Sequence, residues 1–442
     1  MIAILALWLL VGRNRPANEA ASAAPAAAGK PVRETLHLPP VERKDRRVDS
    51  LLLRCGGSVL LHPEAAPAES AQLEAASTSL LKDIGAQLAT QGLLASQASG
   101  QYLQMIAAAD QFRSDWEQKD PQCATREGCP EAAARAAELG ARGYRDALAR
   151  LAAQSSDPQV YALAYYACAR VADKPTDAGQ CAQISARQWA HLDPSNALPW
   201  IYLANEAVAN KQAPIAEEAL FRASRAQVSD AHWSALSGLL DSPVFQAAPQ
   251  DVQDATLITA MGVASAFSIP QYQVTMNYCS TDALKDQNRS QVCDALGTVM
   301  AERADNAISV SLGMRIGERL GWSAERLHVL ANTKDALFQL ARENSPAMLD
   351  DCQALAKTRA WTGAMLRYGE MEAFRRSLAT SGRTTAQLSE RYQAELARQR
   401  EHEAAAHDAT PAPDTLAPGL GSAGTAGQDP APAPSGGTGA YF

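Results

Sequence analysis

The distribution of apolar side chains along the chain favours helices over strands. Over Ser70–Gln97, Pro130–Gln154 and Ala301–Leu320, alanine, leucine and isoleucine recur at intervals of three and four residues, which places them on one face of a helix. Alternation with a period of two, which would indicate half-buried strands, is scarce. The pattern therefore predicts an all-α fold.

Prolines interrupt the helical segments at short intervals. A proline lacks the N–H that a helix needs, and it disfavours helix in the preceding residue. The interruptions fall at Asp120-Pro121, Lys174-Pro175, Asp193-Pro194, Ala213-Pro214, Ser242-Pro243, Ala248-Pro249 and Ile269-Pro270. We expect helices of about 10–20 residues joined by short turns. This arrangement is an irregular array of helical hairpins, similar to an α-solenoid.

Composition adds that these helices are closely packed. Hydrophobic residues make up 47% of the chain but aromatic residues only 6%, so alanine supplies much of the apolar content. Alanine has the highest helix propensity and lets helices approach closely. The net charge is −8 and the basic residues are scattered through the body. A nucleic-acid-binding surface needs clustered basic residues, so we expect no nucleic-acid partner.

The ends of the chain differ in composition from the middle. Pro16–Pro40 is rich in alanine and proline, and Glu401–Phe442 is rich in proline and glycine. Such stretches bury too little apolar surface to offset chain entropy, so both are predicted to be disordered. The predicted regions are 1–12 (apolar membrane anchor or signal-like segment), 13–50 (flexible and charged spacer), 51–156 (N-terminal helical region), 157–242 (repeat region), 243–400 (C-terminal helical region) and 401–442 (disordered tail).

The first residues, Met1–Val11, are almost wholly apolar and are followed by Arg13 and Arg15. The run is shorter than the roughly 20 residues that span a membrane, and it lacks the basic start of a signal peptide. An uncleaved membrane anchor is the favoured interpretation, with a start assigned too far downstream as one reason for its shortness. An unusual signal peptide and a soluble apolar terminus are the alternatives.

Eight cysteines indicate an oxidising compartment. They are Cys55, Cys123, Cys129, Cys168, Cys181, Cys279, Cys293 and Cys352. An even number with short intervals fits a set of disulfides. A zinc site is the alternative, but the chain has no CxxC pair and no histidine at ligand spacing near these cysteines.

Sequence proximity selects one set of pairs from the 105 that eight thiols allow. It favours Cys123–Cys129, Cys168–Cys181 and Cys279–Cys293, which leaves Cys55 with Cys352. The positive-inside rule would keep the arginines after Met1–Val11 in the cytoplasm, but large domains often translocate regardless of such charges. We therefore expect an inner-membrane anchor with the body in the periplasm of a bacterial cell envelope.

Residues 197–226 contain the clearest repeat. Its large residues are Trp200, Leu203 and Leu220, and its small ones are Ala204, Ala216 and Ala223, in an order and spacing that resemble the tetratricopeptide repeat, whose unit is about 34 residues long. The small residues would let two antiparallel helices approach closely. Asn210 would end the first helix and Pro214 would lie in the first turn of the second. The match departs from the family pattern at Ala207 and Val228.

Neighbouring segments resemble the same repeat less closely, with Tyr166 before Trp200 and Trp233 after it at near-constant spacing. The resemblance covers about 80 residues and implies a helical-repeat groove that holds a protein or peptide partner. In that groove, Tyr202 and Asn205 on the first helix would contact the partner.

The candidate motifs for catalysis, cofactors or metals lack the spacing or the surroundings that their chemistry needs. The spacing of His402 and His407 is one residue too long for two zinc ligands on one helix face. Gly419–Gly424 spells GxGxxG, but it lies in the Pro/Gly-rich tail, where no strand and helix flank it. The adjacent carboxylates of Glu217-Glu218 and Asp350-Asp351 do not face each other on a helix. We predict no catalytic residue, cofactor or metal, although a triad assembled across the fold stays open.

The tryptophans have two interpretations. Trp189, Trp200, Trp233, Trp322 and Trp361 either line a ligand groove or anchor helix packing, and packing is favoured.

Three hypotheses about function follow. The favoured one is a non-enzymatic interaction or scaffold protein of the envelope. An envelope hydrolase acting on cell-wall material, with repeats as its substrate-binding arm, is the main alternative, and a purely structural protein is the third.

Overall fold

The computed structural model describes residues 67–119, 129–169, 179–267, 272–344 and 352–408. Within these ranges the chain is all α-helical, as predicted, and it contains no strand beyond two isolated bridges, Asn196 with Val228 and Ser229 with Ala304. Of the described residues, those from 67 to 393 form one compact unit, and those from 394 to 408 belong to a second. The contacts below all lie within the first unit.

The first four helices form successive hairpins. They are α1 (Pro67–Ala89), α2 (Leu94–Lys119), α3 (Cys129–Ala153) and α4 (Pro158–Ala169). α2 packs against both α1 and α3, and α4 packs against α2 and α3. The predicted segment Ser70–Gln97 is therefore two helices, because the turn at 90–93 carries Gly92 and reverses the chain. Pro130–Gln154 corresponds closely to α3.

The middle of the chain is a more irregular set of short helices. A 3₁₀ turn at Gly179–Gln183 leads into α5 (Ala186–Leu192), and the hairpin of α6 (Ala197–Ala209) and α7 (Ala213–Ser224) follows. A second 3₁₀ segment spans Trp233–Leu239.

The C-terminal helices continue the array. They are α8 (Pro243–Ala247), α9 (Gln250–Phe267), α10 (Gln273–Tyr278), α11 (Gln287–Glu302), α12 (Ala307–Leu320), α13 (Ala324–Glu343), α14 (Cys352–Tyr368), α15 (Glu370–Ser381) and α16 (Thr385–Asp408), with a 3₁₀ turn at Ala283–Lys285. Ala301–Leu320, predicted as one helical segment, is split by the link 303–306 between α11 and α12. α16 continues to Asp408, beyond the predicted tail boundary at Arg400.

The α6–α7 hairpin has the packing that its sequence predicts. Leu203, Ala204, Ala216, Leu220 and Ala223 are all buried. Asn210 caps the end of α6, and Pro214 lies at the start of α7. These features confirm the hairpin. Membership of the tetratricopeptide family stays a prediction.

Several helices also pack against helices that are distant in the chain. α7 packs on α11, and α11 packs on α12, which extends the hairpin series. α9 packs against both α1 and α14, and the 3₁₀ segment Trp233–Leu239 contacts α2, α4, α9 and α14. α6 itself packs against α5, α7 and α10, and its Leu198 and Ile201 have no exposed surface.

Two of the predicted disulfides are present, Cys168–Cys181 and Cys279–Cys293. Cys129 is disulfide-bonded as well. Cys55, Cys123 and the side chain of Cys352 lie outside the described part of the structure, as do Met1–Val11, the spacer and the tail from 409 onward. None of the helices in the described ranges is long and apolar enough to cross a membrane.

Candidate functional site

Four aromatic side chains from three helices meet beside α6. Tyr165 and Tyr166 come from α4, Trp189 from α5 and Tyr202 from α6, with ring centroids 5.0–6.3 Å apart. Most of these pairs are tilted or edge-to-face, which is the favourable geometry for aromatic rings. We call these four residues the aromatic cluster.

Local sequence explains why the cluster forms there. α4 is apolar on nearly every side, and nine of its residues are buried, so both neighbouring tyrosines point into the protein. α5 begins at Ser185, whose side chain accepts a hydrogen bond from the Gln188 N–H and fixes the start of the helix. Trp189 then lies one turn along α5 and is fully buried.

Tyr202 and Asn205, the two predicted partner-binding residues, lie on the same side of α6 but in different surroundings. Tyr202 is half-buried in the aromatic cluster, and burial raises its pKa above the ordinary value, with further contributions from Tyr272 and Tyr102. Asn205 is also half-buried, yet its Oδ1 and Nδ2 atoms are covered and have no hydrogen-bond partner. Buried polar atoms without partners are rare, so this amide needs an explanation.

Glu206 borders the aromatic cluster. Its Oε1 atom accepts hydrogen bonds from the Tyr165 hydroxyl (3.0 Å) and from the backbone N–H of Ala186 (3.3 Å). Burial raises the pKa of Glu206, and these two bonds, together with the charge of Arg187, oppose the rise. Its other carboxylate oxygen accepts no hydrogen bond from the described residues.

A polar junction lies on the other side of the cluster, where three links between helices meet. Asn196, the residue that caps α6, holds two of them together. Its Nδ2 atom donates to Asp193 Oδ2 and to the Asp230 carbonyl, each at 2.8 Å, and its Oδ1 atom accepts from the Asp230 N–H at 2.9 Å. The third link is fixed by Asp305, whose Oδ2 atom accepts from the Ala231 N–H at 2.8 Å.

His232 lies within this junction in a left-handed backbone conformation, with φ of 55°. Its Nε2 atom is 3.0 Å from Asp193 Oδ2, and its Nδ1 atom is 3.9 Å from Asp230 Oδ2. Burial alone would lower the pKa of His232, but the bond to Asp193 and the charges of Asp230 and Asp193 raise it above the ordinary value. The ring also contacts Trp189, with centroids 6.3 Å apart.

Two carboxyl groups face each other in the same junction. Burial raises the pKa of Asp305 well above the ordinary value, and the neighbouring Asp230 raises it further, against the hydrogen bonds from Asn306 and Ala231. A carboxyl group beside a carboxylate resists ionisation, so Asp305 keeps its proton to higher pH than a solvent-exposed aspartate does. Glu370 lies nearby and accepts from the Ala307 N–H at 2.8 Å; burial raises its pKa as well.

This geometry suits holding the fold together more than it suits catalysis. A histidine that activates a nucleophile needs one ring nitrogen free to take the nucleophile's proton. Both ring nitrogens of His232 face carboxylates instead. The carboxyl oxygens of Asp305 accept backbone and asparagine N–H groups, which ties the three links to one another.

The junction makes stability depend on pH. Asp305, Glu370, Glu206 and His232 all have folded-state pKa values above their ordinary ones, so the native state binds more protons than the unfolded state. Their stabilisation is complete at low pH and is lost as pH rises through the raised values, from above about 4 for the carboxyls and from above about 6.5 for His232. We expect a higher melting temperature at pH 5.5 than at pH 8.

An Asp230→Asn variant tests the effect of Asp230 on Asp305 within that profile. The new amide removes the negative charge that raises the pKa of Asp305, and its oxygen still accepts from the His232 N–H, as Asp230 Oδ1 does at 2.7 Å. The variant should melt higher than wild type at pH 8 and show a flatter pH profile by calorimetry. Glu390→Gln, at an exposed position, is the control. An Asp230→Asn profile as steep as wild type would contradict an effect of Asp230 on Asp305.

The other sequence candidates lie outside this site. Glu217 and Glu218 are exposed and pair with Arg289 and Arg222, each at a closest distance of 2.7–2.8 Å, as expected for solvated helix surface. Among the tryptophans, Trp189, Trp233 and Trp361 are buried and Trp200 and Trp322 pack partly against the core, which favours the packing interpretation. His402 lies on α16. Asp350-Asp351 and Gly419–Gly424 fall outside the described residues.

The polar junction itself was missed by sequence reasoning. The signal available was the Asn-Ala pair at the start of both α6 and α12, Asn196-Ala197 and Asn306-Ala307, because asparagine is a strong helix cap. That signal marks two helix starts. It does not show that the links at 193–196, 229–232 and 303–306 meet.

In the described ranges, no group of three or more histidine, cysteine or acidic side chains could hold a metal ion. Comparisons with protein-family models, curated proteins and solved structures found no match for the chain. Function must therefore be argued from the site.

Proposed function

We propose that this chain is a non-enzymatic interaction or scaffold protein of the bacterial cell envelope, and that it binds a protein or peptide partner through α6. The observation that carries the proposal is the unpaired amide of Asn205 next to the aromatic Tyr202. A covered amide without partners costs the free protein about 1–3 kcal/mol for each unmet group. A partner that satisfies it recovers that cost on binding.

The architecture supports the same proposal. Arrays of helical hairpins present side chains from successive helices to a bound partner. Here much of α6 is buried within the chain itself, so the proposed contact is confined to the turn that contains Tyr202, Asn205 and Glu206.

The proposed location is the periplasm, with the apolar segment Met1–Val11 as an inner-membrane anchor. Two disulfides, Cys168–Cys181 and Cys279–Cys293, support an oxidising compartment, because cytosolic thiols are kept reduced. The tetratricopeptide resemblance of 197–226 supports a binding role.

Affinity capture tests this proposal. Full-length tagged protein is recovered from envelope membranes under non-reducing conditions, as wild type, as Asn205→Leu and as Glu218→Gln. We expect the same defined partner with wild type and with Glu218→Gln, because Glu218 lies on the exposed side of α7, and its loss with Asn205→Leu. Equal recovery with all three variants would refute a binding role for Asn205.

The polar junction favours a second candidate, an envelope hydrolase acting on cell-wall material. Its basis is the convergence of His232, Asp193, Asp230 and Asp305, in which the pKa of Asp305 is raised by burial and by Asp230. This candidate predicts release of soluble fragments from purified cell wall, abolished by Asp305→Asn. We expect no release, since both ring nitrogens of His232 already face carboxylates.

A further inference from the structure

Helix α10 also contains a buried polar atom without a hydrogen-bond partner. The side chain of Thr275 has no exposed surface, and its hydroxyl oxygen makes no hydrogen bond. α10 packs against α6, the helix that carries the unpaired amide of Asn205. Both helices of one contact therefore carry polar groups that the folded protein leaves unsatisfied.

The unsatisfied groups of Asn205 and Thr275 occupy corresponding positions on α6 and α10. Tyr202 on α6 and Tyr272 at the start of α10 are close enough for Tyr272 to raise the pKa of Tyr202. Asn205 lies one turn after Tyr202, and Thr275 lies one turn after Tyr272. The unsatisfied groups therefore follow the same pair of neighbouring tyrosines.

α10 is also attached to α11 and α12. The Tyr272 hydroxyl is 2.8 Å from the Ser309 hydroxyl, and Arg319 donates to the carbonyls of Met276 and Cys279 at 2.9 and 3.0 Å. The Cys279–Cys293 disulfide ties its end to α11. These attachments do not involve α6, so they can hold when α10 and α6 separate.

We propose that α10 covers a docking surface on α6, and that an extended polypeptide segment bearing a lysine or arginine displaces it. This inference rests on the proposed function and names the chemistry of the partner. The Asn205 amide, with donor and acceptor side by side, matches the N–H and C=O groups of a peptide main chain. Tyr202 supplies an aromatic surface beneath the segment.

The charge of Glu206 determines which side chain of the bound segment is favoured. Glu206 lies one turn after Tyr202 on the same side of α6, and one of its carboxylate oxygens accepts no hydrogen bond from the described residues. The charge of the neighbouring Arg187 lowers the pKa of Glu206 and so favours its charged form. A cationic side chain is therefore favoured over a neutral or acidic one.

Fluorescence anisotropy with defined peptides tests the inference. The probes are fluorescein-labelled peptides of about ten residues with one Gly/Ser/Leu sequence, differing only in a central Arg, Gln or Glu, titrated with the full-length oxidised protein. We expect the Arg peptide to bind about tenfold more tightly than the Gln peptide. Glu206→Gln should remove this preference while retaining binding, and Glu218→Gln should change nothing.

A double variant, Asn205→Leu with Thr275→Val, separates binding from folding. It removes the unsatisfied groups at nearly constant volume, so the α6–α10 contact becomes apolar. We expect a higher melting temperature, slower hydrogen exchange in α10 and at least a tenfold loss of peptide affinity.

A lower melting temperature, or binding that ignores both the central residue and the double variant, would overturn the inference. The proposed function would still stand in that case if affinity capture lost its partner with Asn205→Leu. It would fall separately if capture were indifferent to that variant.

Discussion

Replacing Cys279 and Cys293 together with alanine is expected to lower the free energy of unfolding by about 3 kcal/mol. The disulfide spans a sequence separation of 14 residues, and closing a loop of that size removes entropy from the unfolded chain. Both cysteines are fully buried in the core, so the alanines also leave unfilled space that adds to the loss. Urea denaturation followed by circular dichroism measures the change.

The same chain supplies the comparison for this measurement. Cys168–Cys181 spans 13 residues. Replacing both of its cysteines with alanine should lower the free energy of unfolding by a similar amount. Adding a reductant to wild type should reproduce at least the loss seen in each double variant. A Cys279/Cys293 variant as stable as wild type in oxidising buffer would show that this disulfide does not constrain the fold.

Gly100→Ala is expected to destabilise the α1–α2 hairpin. A Cβ atom at this position would press against the backbone N of Ala89 and lie 2.5 Å from the carbonyl oxygen of Gly85. The contact is with backbone, so a rotamer change cannot relieve it and the two helices must separate. Overpacking of this kind costs about 1–3 kcal/mol or more, which exceeds the roughly 1 kcal/mol gained in helix propensity.

Gly143→Ala is the matched control for that substitution. Gly143 also lies within a helix, α3, but a Cβ atom there would have no neighbour within 4 Å. The variant should raise stability by up to about 1 kcal/mol, because only the propensity gain applies. Thermal unfolding of both variants gives opposite signs if close helix contact requires Gly100, and equal signs would contradict that account.

The sequence predicted helix content well because the relevant signals are local. Apolar spacing indicated α3 almost to the residue, and Asn210 and Pro214 marked the end of α6 and the start of α7. Short intervals between cysteines predicted both disulfides between described residues. Each of these features depends on residues close together in the chain.

Features that depend on distant contacts could not be predicted. The pattern in Ser70–Gln97 is helical throughout, and only the structure shows the reversal after Ala89. His232 contacts Asp193 across 39 positions of the chain, and Ala231 contacts Asp305 across 74. Neither contact produces a periodic pattern of apolar residues in the sequence.

The candidate site shows the same division. Tyr202 and Asn205 were chosen because the repeat pattern has them facing a groove, and both lie on α6. The pattern could not show that Tyr202 joins an aromatic cluster or that the Asn205 amide has no partner. That second fact is what makes the position a candidate for binding.

Site-specific photo-crosslinking from α6 tests the central claim most directly. A photoreactive phenylalanine analogue is placed at Tyr202, where it keeps an aromatic ring and leaves the Asn205 amide intact, and, as the matched position, at Glu218 on the exposed side of α7, and envelopes are irradiated with the disulfides intact. The account predicts one identified polypeptide crosslinked from position 202 and absent from position 218, with the attachment site in a segment containing lysine or arginine. Crosslinks from position 202 that reach only residues of this chain would contradict it.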